Sequence, residues 1–192
     1  PHAHARIGKV DKSAALDLPG VLAVLTFDDL PEAVRRQAPP LLAPHPSLRL
    51  PRMPYALAAG EACYAGEPVA CVIAQSRYLA EDAVDRIEVE YEPLPAIADC
   101  RDALEPGASL AHARADSNVA AQFQVKVGDA EHAFAGAAHV FRERLHQHRG
   151  GPFFMECRGP VASFEAATQS YTLFVSSQGS HRIKRCMLDM FD

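Results

Sequence analysis

The segment Val175-Ser176-Ser177-Gln178-Gly179-Ser180-His181 holds the residues best suited to grip a small polar group. An apolar strand pattern ends there and a helical pattern begins, and α/β proteins place ligands at such strand exits. The Gln178 carboxamide offers two N–H donors and one carbonyl acceptor. Gly179 has no Cβ, so a ligand can come close to the backbone. A helix start also leaves backbone N–H groups free for an oxyanion. Gln178 and Gly179 are therefore the candidate ligand-binding residues. Taken alone, a glutamine at a strand end more commonly serves as a solvated turn residue.

Other chemistry-bearing residues are weaker. Glu156 and Arg158, in Met155-Glu156-Cys157-Arg158-Gly159, could line a site entrance, but an ion pair ordering the Gly150-Gly151-Pro152 loop explains them better. Phe153 and Phe154 read first as packing. His2-x-His4 and His146-x-His148 each put two imidazoles on one strand face, yet neither has a third ligand at metal spacing, and Arg149 would repel a dication. No metal ligand set is expected. Gly150-Gly151 lacks the Lys-Ser or Lys-Thr of a phosphate loop, and the serines around Gln178 lack the Gly-x-Ser-x-Gly frame of a hydrolase nucleophile. No catalytic residue is expected in this chain.

Composition excludes several classes. The 192 residues carry a formal charge of −5 with scattered signs, which leaves no nucleic-acid footprint. The most basic piece, residues 181–185, reads as a solvated helix face. No apolar run approaches the roughly 18 residues of a membrane span, and PHAHARIGKV is not a signal peptide. Five cysteines without C-x-x-C spacing argue against a zinc or iron–sulfur site. Reduced thiols and a cytoplasmic location are the expectation, with Cys71 as a small buried hydrophobe.

The elements that must position Gln178 are legible in part. Residues 69–74 (VACVIA) form a continuous apolar run, which predicts a strand buried on both faces. Ser76 is an N-cap type, and Ala80, Ala83, Val84 and Ile87 follow helical spacing, which predicts a helix over 77–86. Ile87-Glu88-Val89-Glu90-Tyr91 alternates as a half-buried strand, stopped by Pro93 and Pro95. Strands 69–74 and 87–91 are expected in one sheet with that helix packed on it. Residues 21–26 predict a further buried strand after the Pro19-Gly20 turn, with Asp28 capping a turn through Leu30. Six prolines within 38–54 mark a long surface loop.

A second low-periodicity stretch, 103–118, suggests a domain boundary near residue 112. Beyond it, strands are expected over 123–127 and 140–147. Asp129 should cap a helix over 130–137, and 161–164 with 171–176 should form a hairpin. A final helix capped by Ser180 has one apolar face of Ile183, Cys186, Met187 and Met190.

Three pieces carry a family likeness: Gly66-Glu67-Pro68-Val69-Ala70, Ala80-Glu81-Asp82-Ala83, and Val89-Glu90-Tyr91-Glu92-Pro93-Leu94-Pro95-Ala96. Pro1-His2-Ala3-His4-Ala5-Arg6-Ile7 and Leu18-Pro19-Gly20-Val21 precede them in matching order. Together they resemble the hammerhead α/β domain of molybdenum hydroxylases, the xanthine dehydrogenase, aldehyde oxidase and carbon monoxide dehydrogenase large subunits. The likeness extends over nearly the whole chain. It implies an α/β (α+β) fold, with a hammerhead domain over 1–112 and the beginning of a molybdopterin-binding domain over 113–192. The strand–Gln178–helix segment is similar to the family's motif in which a glutamine amide hydrogen-bonds an oxo ligand of molybdenum. Met155-Glu156-Cys157-Arg158-Gly159 resembles a second motif, but Cys157 stands where the family has proline.

The resemblance implies an oxidoreductase that inserts a water-derived oxygen at an aldehyde or N-heterocycle carbon and releases two electrons. It also implies iron–sulfur and FAD partners, as separate subunits or domains, in an oligomer. The family's glycine-rich cofactor loop and its general-base glutamate are not found in the chain, and a site without its base does not turn over. Pro1 is not a natural start, and Phe191-Asp192 is not a helix terminator, so a fragment of a longer subunit, inactive by itself, is expected. Two rival readings stand: a non-catalytic hammerhead module that docks partner subunits, and an unrelated α/β binding domain.

Overall fold

The computed structural model describes residues 1–41, 45–147, 150, 155 and 159–191. The chain divides into two compact units, Pro1–Gln122 with Lys184–Asp192, and Phe123–Ile183.

The first unit is built on two antiparallel ladders. β1 (Ala5–Asp11) is followed by the single turn α1 (Ser13–Leu16), β2 (Val21–Leu25) and the turn α2 (Glu32–Arg35). Next come the short β3 (Glu61–Ala62), β4 (Cys71–Ala74), the helix α3 (Arg77–Val84) and β5 (Glu88–Pro93). The sheet order is β3-β1-β5, while β2 pairs only with β4. The expected single sheet holding residues 69–74 and 87–91 is therefore corrected. β4 runs against β2 (Leu25 opposite Cys71), and β5 runs against β1 (Ile7 opposite Tyr91). The two ladders still share apolar packing. Ala15, Val24 and Ala83 are buried together, with Leu18, Val21, Val72 and Ile87 packed around them. Ile87 belongs to the turn that leads into β5, so it links that strand to the β2–β4 side.

Period-two patterning reads correctly in β5, where Val89 and Tyr91 turn inward and Glu88 and Glu90 outward. The continuous apolar run misleads. β4 is only four residues long, and Cys71 and Ile73 are exposed, so the strand is covered on one face and Cys71 is not a buried hydrophobe. β2 is likewise one-sided, with Val24 buried and Leu22 exposed. Uniform hydrophobicity records which faces could be covered, and a two-stranded ladder covers only one.

Helix α3 starts where its cap predicts. The Ser76 hydroxyl accepts from the Leu79 N–H at 3.3 Å. Its inward side is the half-buried Leu79 and the buried Ala83, one turn apart, with the half-buried Ile87 a turn further on just past the helix, while Val84 is exposed. Ser76→Ala should lower stability by about 1 kcal/mol. A thermal midpoint unchanged from wild type would show that the cap contributes nothing.

At the next turn, a capping box replaces the expected Asp28 cap. Asp29, three residues beyond Thr26, accepts from both the Thr26 N–H and hydroxyl at 2.8 Å. The proline-rich loop is held by backbone bonds, Met53 N–H to Pro39 at 2.8 Å and Leu41 N–H to Pro51 at 3.1 Å.

The second unit contains α4 (Ala130–Ala135), the hairpin β6 (Val161–Glu165) with β7 (Ser170–Phe174), and the first turn of α5 (Ser180–Phe191). Asp129 caps α4 as expected, accepting from the His132 N–H at 3.1 Å. The hairpin pairs Val161 with Phe174 and Glu165 with Ser170, and its loop is closed by Gln169 at φ +52°. Residues 123–127 and 140–147, expected as strands, are irregular. Phe123, Val125, Val127, Phe141 and Leu145 are at least 74% exposed, and no described strand pairs with these segments. A strand needs a partner for its N–H and C=O groups, and an apolar pattern without one stays irregular. All ten residues of β6 and β7 are exposed as well.

Candidate functional site

β7 ends at Phe174 and α5 begins at Ser180, with five residues between them, so Gln178 lies between strand exit and helix entrance as its segment predicts. The cap is displaced by one residue from expectation. The Gly179 carbonyl accepts from the Arg182 N–H at 3.1 Å and the Ile183 N–H at 3.3 Å, so Gly179 holds the N-cap position and Ser180 is the first helical residue. The Ser177 hydroxyl accepts from the Gly179 N–H at 3.3 Å. The N–H groups of Ser180 and His181 donate to no other described residue, which leaves the open donors of a helix start.

The Gln178 side chain is exposed and makes no hydrogen bond to any described residue. Its two amide protons are free to donate. A Cβ added to Gly179 would meet only the stem of Arg182, at 3.5–3.9 Å, which is ordinary contact. The glycine therefore leaves space beside the backbone without being sterically compelled within the described residues.

The first turn of α5 carries His181 and Arg182 and no acid. Arg182 places a positive charge near the positive end of the helix dipole, so this charge does not stabilise the helix start. A carboxamide bonded to no described residue, open N–H donors and the neighbouring Arg182 could together receive an oxygen-rich anion. The apolar face of α5 is as expected, with Ile183, Cys186, Met187 and Met190 half-buried among exposed neighbours.

Other candidates resolve differently. Glu156, Cys157 and Arg158 lie outside the described residues, as do Phe153, Phe154, His148 and Arg149. His2 and His4 do not form an open pair. His2 packs against Tyr91 with the rings tilted by 54° and their centroids 5.0 Å apart, and both nitrogens of His4 are engaged, by the Pro95 carbonyl at 2.8 Å and Glu61 at 2.6 Å. Sequence reading weighed His4 only as a ligand and missed Glu61, because 57 residues separate the partners and no local spacing signals them. Cys63, Cys71, Cys100 and Cys186 are free thiols. Burial, with Glu61 and Glu67 adding negative charge, pushes the Cys63 thiol up to about 12, so it stays protonated. A cavity of about 430 Å³ in the first unit is lined by Ile7, Lys12, Thr26, Asp28, Ala59 and Arg114 among others, and by neither Gln178 nor Gly179.

Comparison with known proteins defines the class. Residues 1–95 match the aldehyde oxidase and xanthine dehydrogenase a/b hammerhead domain, and residues 111–192 match the molybdopterin cofactor-binding domain. The large subunit of nicotine 6-hydroxylase from Paenarthrobacter nicotinovorans is 34% identical over 188 residues, covering 97% of this chain and 22% of that protein. The carbon monoxide dehydrogenase large chain of Afipia carboxidovorans is 35% identical, covering 95% of this chain and 23% of that one. The crystal structure of quinoline 2-oxidoreductase from Pseudomonas putida 86 superposes with a TM-score of 0.82 at 34% identity, over all of this chain and 24% of that one.

The two matches run in chain order, an α/β hammerhead domain followed by a molybdopterin cofactor-binding domain. The chain belongs to the molybdenum hydroxylase large subunits, the xanthine dehydrogenase, aldehyde oxidase and carbon monoxide dehydrogenase family. It spans under a quarter of the length of the relatives named.

Proposed function

We propose that this chain contributes two parts to a molybdenum hydroxylase large subunit: a hammerhead domain over 1–112, and over 113–192 a segment of the molybdopterin-binding domain. Gln178 carries the reading. It is a carboxamide engaged by no described residue, at a strand-to-helix junction whose first helical turn carries Arg182. When bound, the molybdenum–pterin group supplies the two-electron chemistry by which a water-derived oxygen reaches an aldehyde or N-heterocycle carbon. Gln178 donates from its side-chain nitrogen to an oxygen of that group. Gly179 keeps the adjacent backbone open. The Ser180 and His181 N–H groups and the Arg182 side chain add positive potential. None of these groups removes a proton, so the general base comes from elsewhere in the assembled enzyme.

The proposed partners are iron–sulfur and FAD-bearing subunits or domains that carry the released electrons, in an oligomeric, cytoplasmic enzyme. Among the described residues no helix is long and apolar enough to cross a membrane. The 192 residues alone should neither hold molybdopterin tightly nor turn over substrate.

The test is metal analysis of the purified complex that carries this sequence, with a panel of aldehydes and N-heterocycles. Stoichiometric molybdenum and turnover of at least one panel member are expected, with neither for the isolated chain. A complex free of molybdenum would overturn the reading in favour of a docking module. Stoichiometric molybdenum in the isolated chain would refute its proposed inactivity.

A further inference from the structure

His4 immediately precedes β1 and is 7% exposed. Its Nδ1 faces the Pro95 carbonyl oxygen at 2.8 Å, and its Nε2 faces Glu61 Oε1 at 2.6 Å. A carbonyl oxygen only accepts, and so does an ionised carboxylate. Both ring nitrogens must therefore donate, and the ring that satisfies this geometry is the imidazolium. Glu61 Oε1 also accepts the Ala113 N–H at 2.8 Å.

The two anchor points bracket one stretch of chain. Pro95 is the last residue matched to the hammerhead domain, and Ala113 lies just inside the match to the cofactor-binding domain. Residues 96–112 between them contain only one short helical turn, Asp102–Leu104. A charged pair, His4 just before β1 and Glu61 on β3, thus holds both ends of the connection between the two family domains.

We propose that the His4–Glu61 pair is a pH-sensitive latch on the 96–112 connection, closed when His4 carries both ring protons and opened at its Pro95 end when one is lost. The remaining proton stays on Nε2, because the bond to the carboxylate is charge-assisted and stronger than one to a neutral carbonyl. Glu61 then keeps both His4 and Ala113, and the Pro95 carbonyl loses its donor.

The surrounding charges agree with the geometry. Burial favours neutral His4, but the Glu61 bond, the Pro95 carbonyl and the Glu61 charge outweigh it and raise its pKa above the ordinary 6.5. Burial likewise opposes ionised Glu61, but the His4 bond, the Ala113 N–H and the positive influence of His4 and His112 hold it below the ordinary 4.5. Cys63 beyond β3 is protonated, Arg114 lies next along the chain, and Arg6 of β1 is paired with Glu92 of β5. The raised His4 pKa makes its stabilisation complete below pH 6.5 and lost as pH rises through the shifted value. The lowered Glu61 pKa makes its share complete above pH 4.5 and lost on acidification through the shifted value. The latch is firmest between those two ordinary values.

The test uses the intact protein with ¹⁵N-labelled histidine, from about pH 5 to about pH 9, bracketing the usual histidine range. Near pH 6 the His4 ring should show protons on both nitrogens, and at high pH on Nε2 alone. Amide exchange across 96–112, corrected for intrinsic rates, should quicken about fivefold over the same range, the loss expected for one hydrogen bond. In His4→Gln, whose amide donates but does not titrate, that pH response should vanish. A singly protonated His4 ring near pH 6 would overturn the proposal. So would flat wild-type exchange, or an undiminished pH response in His4→Gln. The ring titration needs no variant and decides the matter even if His4→Gln fails to fold.

Discussion

In molybdenum-replete enzyme, Gln178→Ala should lower kcat about tenfold, near 1.4 kcal/mol. The substitution removes both amide protons of a side chain that makes no hydrogen bond to any described residue. It leaves Gly179, whose carbonyl receives the first bonds of α5, in place. Stability and cofactor content should therefore stay near wild type. A preorganised donor aimed at charge that develops in the transition state is worth about 2.7–4 kcal/mol. The smaller figure is expected here because the proposed acceptor oxygen is present before and during reaction, and only the difference between the two states accelerates. Wild-type kcat with full metal content would remove Gln178 from the site. A variant that loses its metal in proportion to its activity would make Gln178 a retention residue instead, which the metal assay reads separately from kcat.

Gly20→Val should cost about 2–4 kcal/mol, the largest stability loss expected from a single change in the first unit. Gly20 sits at φ +90°, where an L side chain is strained. A Cβ there would stand 2.7 Å from Leu79 Cδ1, closer than carbon atoms approach. Leu79 is half-buried on α3 one turn before the buried Ala83, so the added carbon forces its side chain or the turn to shift. Gly60→Ala is the control. Its φ is +78°, but nothing lies within 4 Å of the added carbon, so only backbone strain of about 1 kcal/mol should appear. Thermal unfolding of the two variants separates the terms. Equal midpoints would mean that the Leu79 contact relaxes without cost.

Where a single short segment carries all the information, the sequence reads well. Ser76 caps α3, Asp129 caps α4, Val89 and Tyr91 turn inward, and the hairpin closes between Glu165 and Ser170. The four half-buried residues of α5 are the ones its spacing selects. Caps, turns and periodicities act within a few residues, so one chain states them without help. The position of Gln178 between a strand and a helix is legible for the same reason, and the ordered motifs around it suffice to indicate the family.

Pairing is different, because the partner is remote and nothing local names it. Residues 69–74 are expected in one sheet with 87–91, but the folded chain pairs them with β2 and puts Leu25 opposite Cys71. Residues 123–127 and 140–147 have strand-like composition but no described strand beside them, and they remain irregular. His4 needs Glu61 and Pro95, 57 and 91 residues away, before its charge has a meaning. The sequence by itself determined the caps at Ser76 and Asp129, the alternation of β5, the strand-to-helix junction that holds Gln178 and the family likeness. The tertiary structure alone decided which strands share a ladder, which face of β4 is covered and where His4 finds its two acceptors, since hydrogen bonds between distant segments are satisfied only after the chain has brought them together.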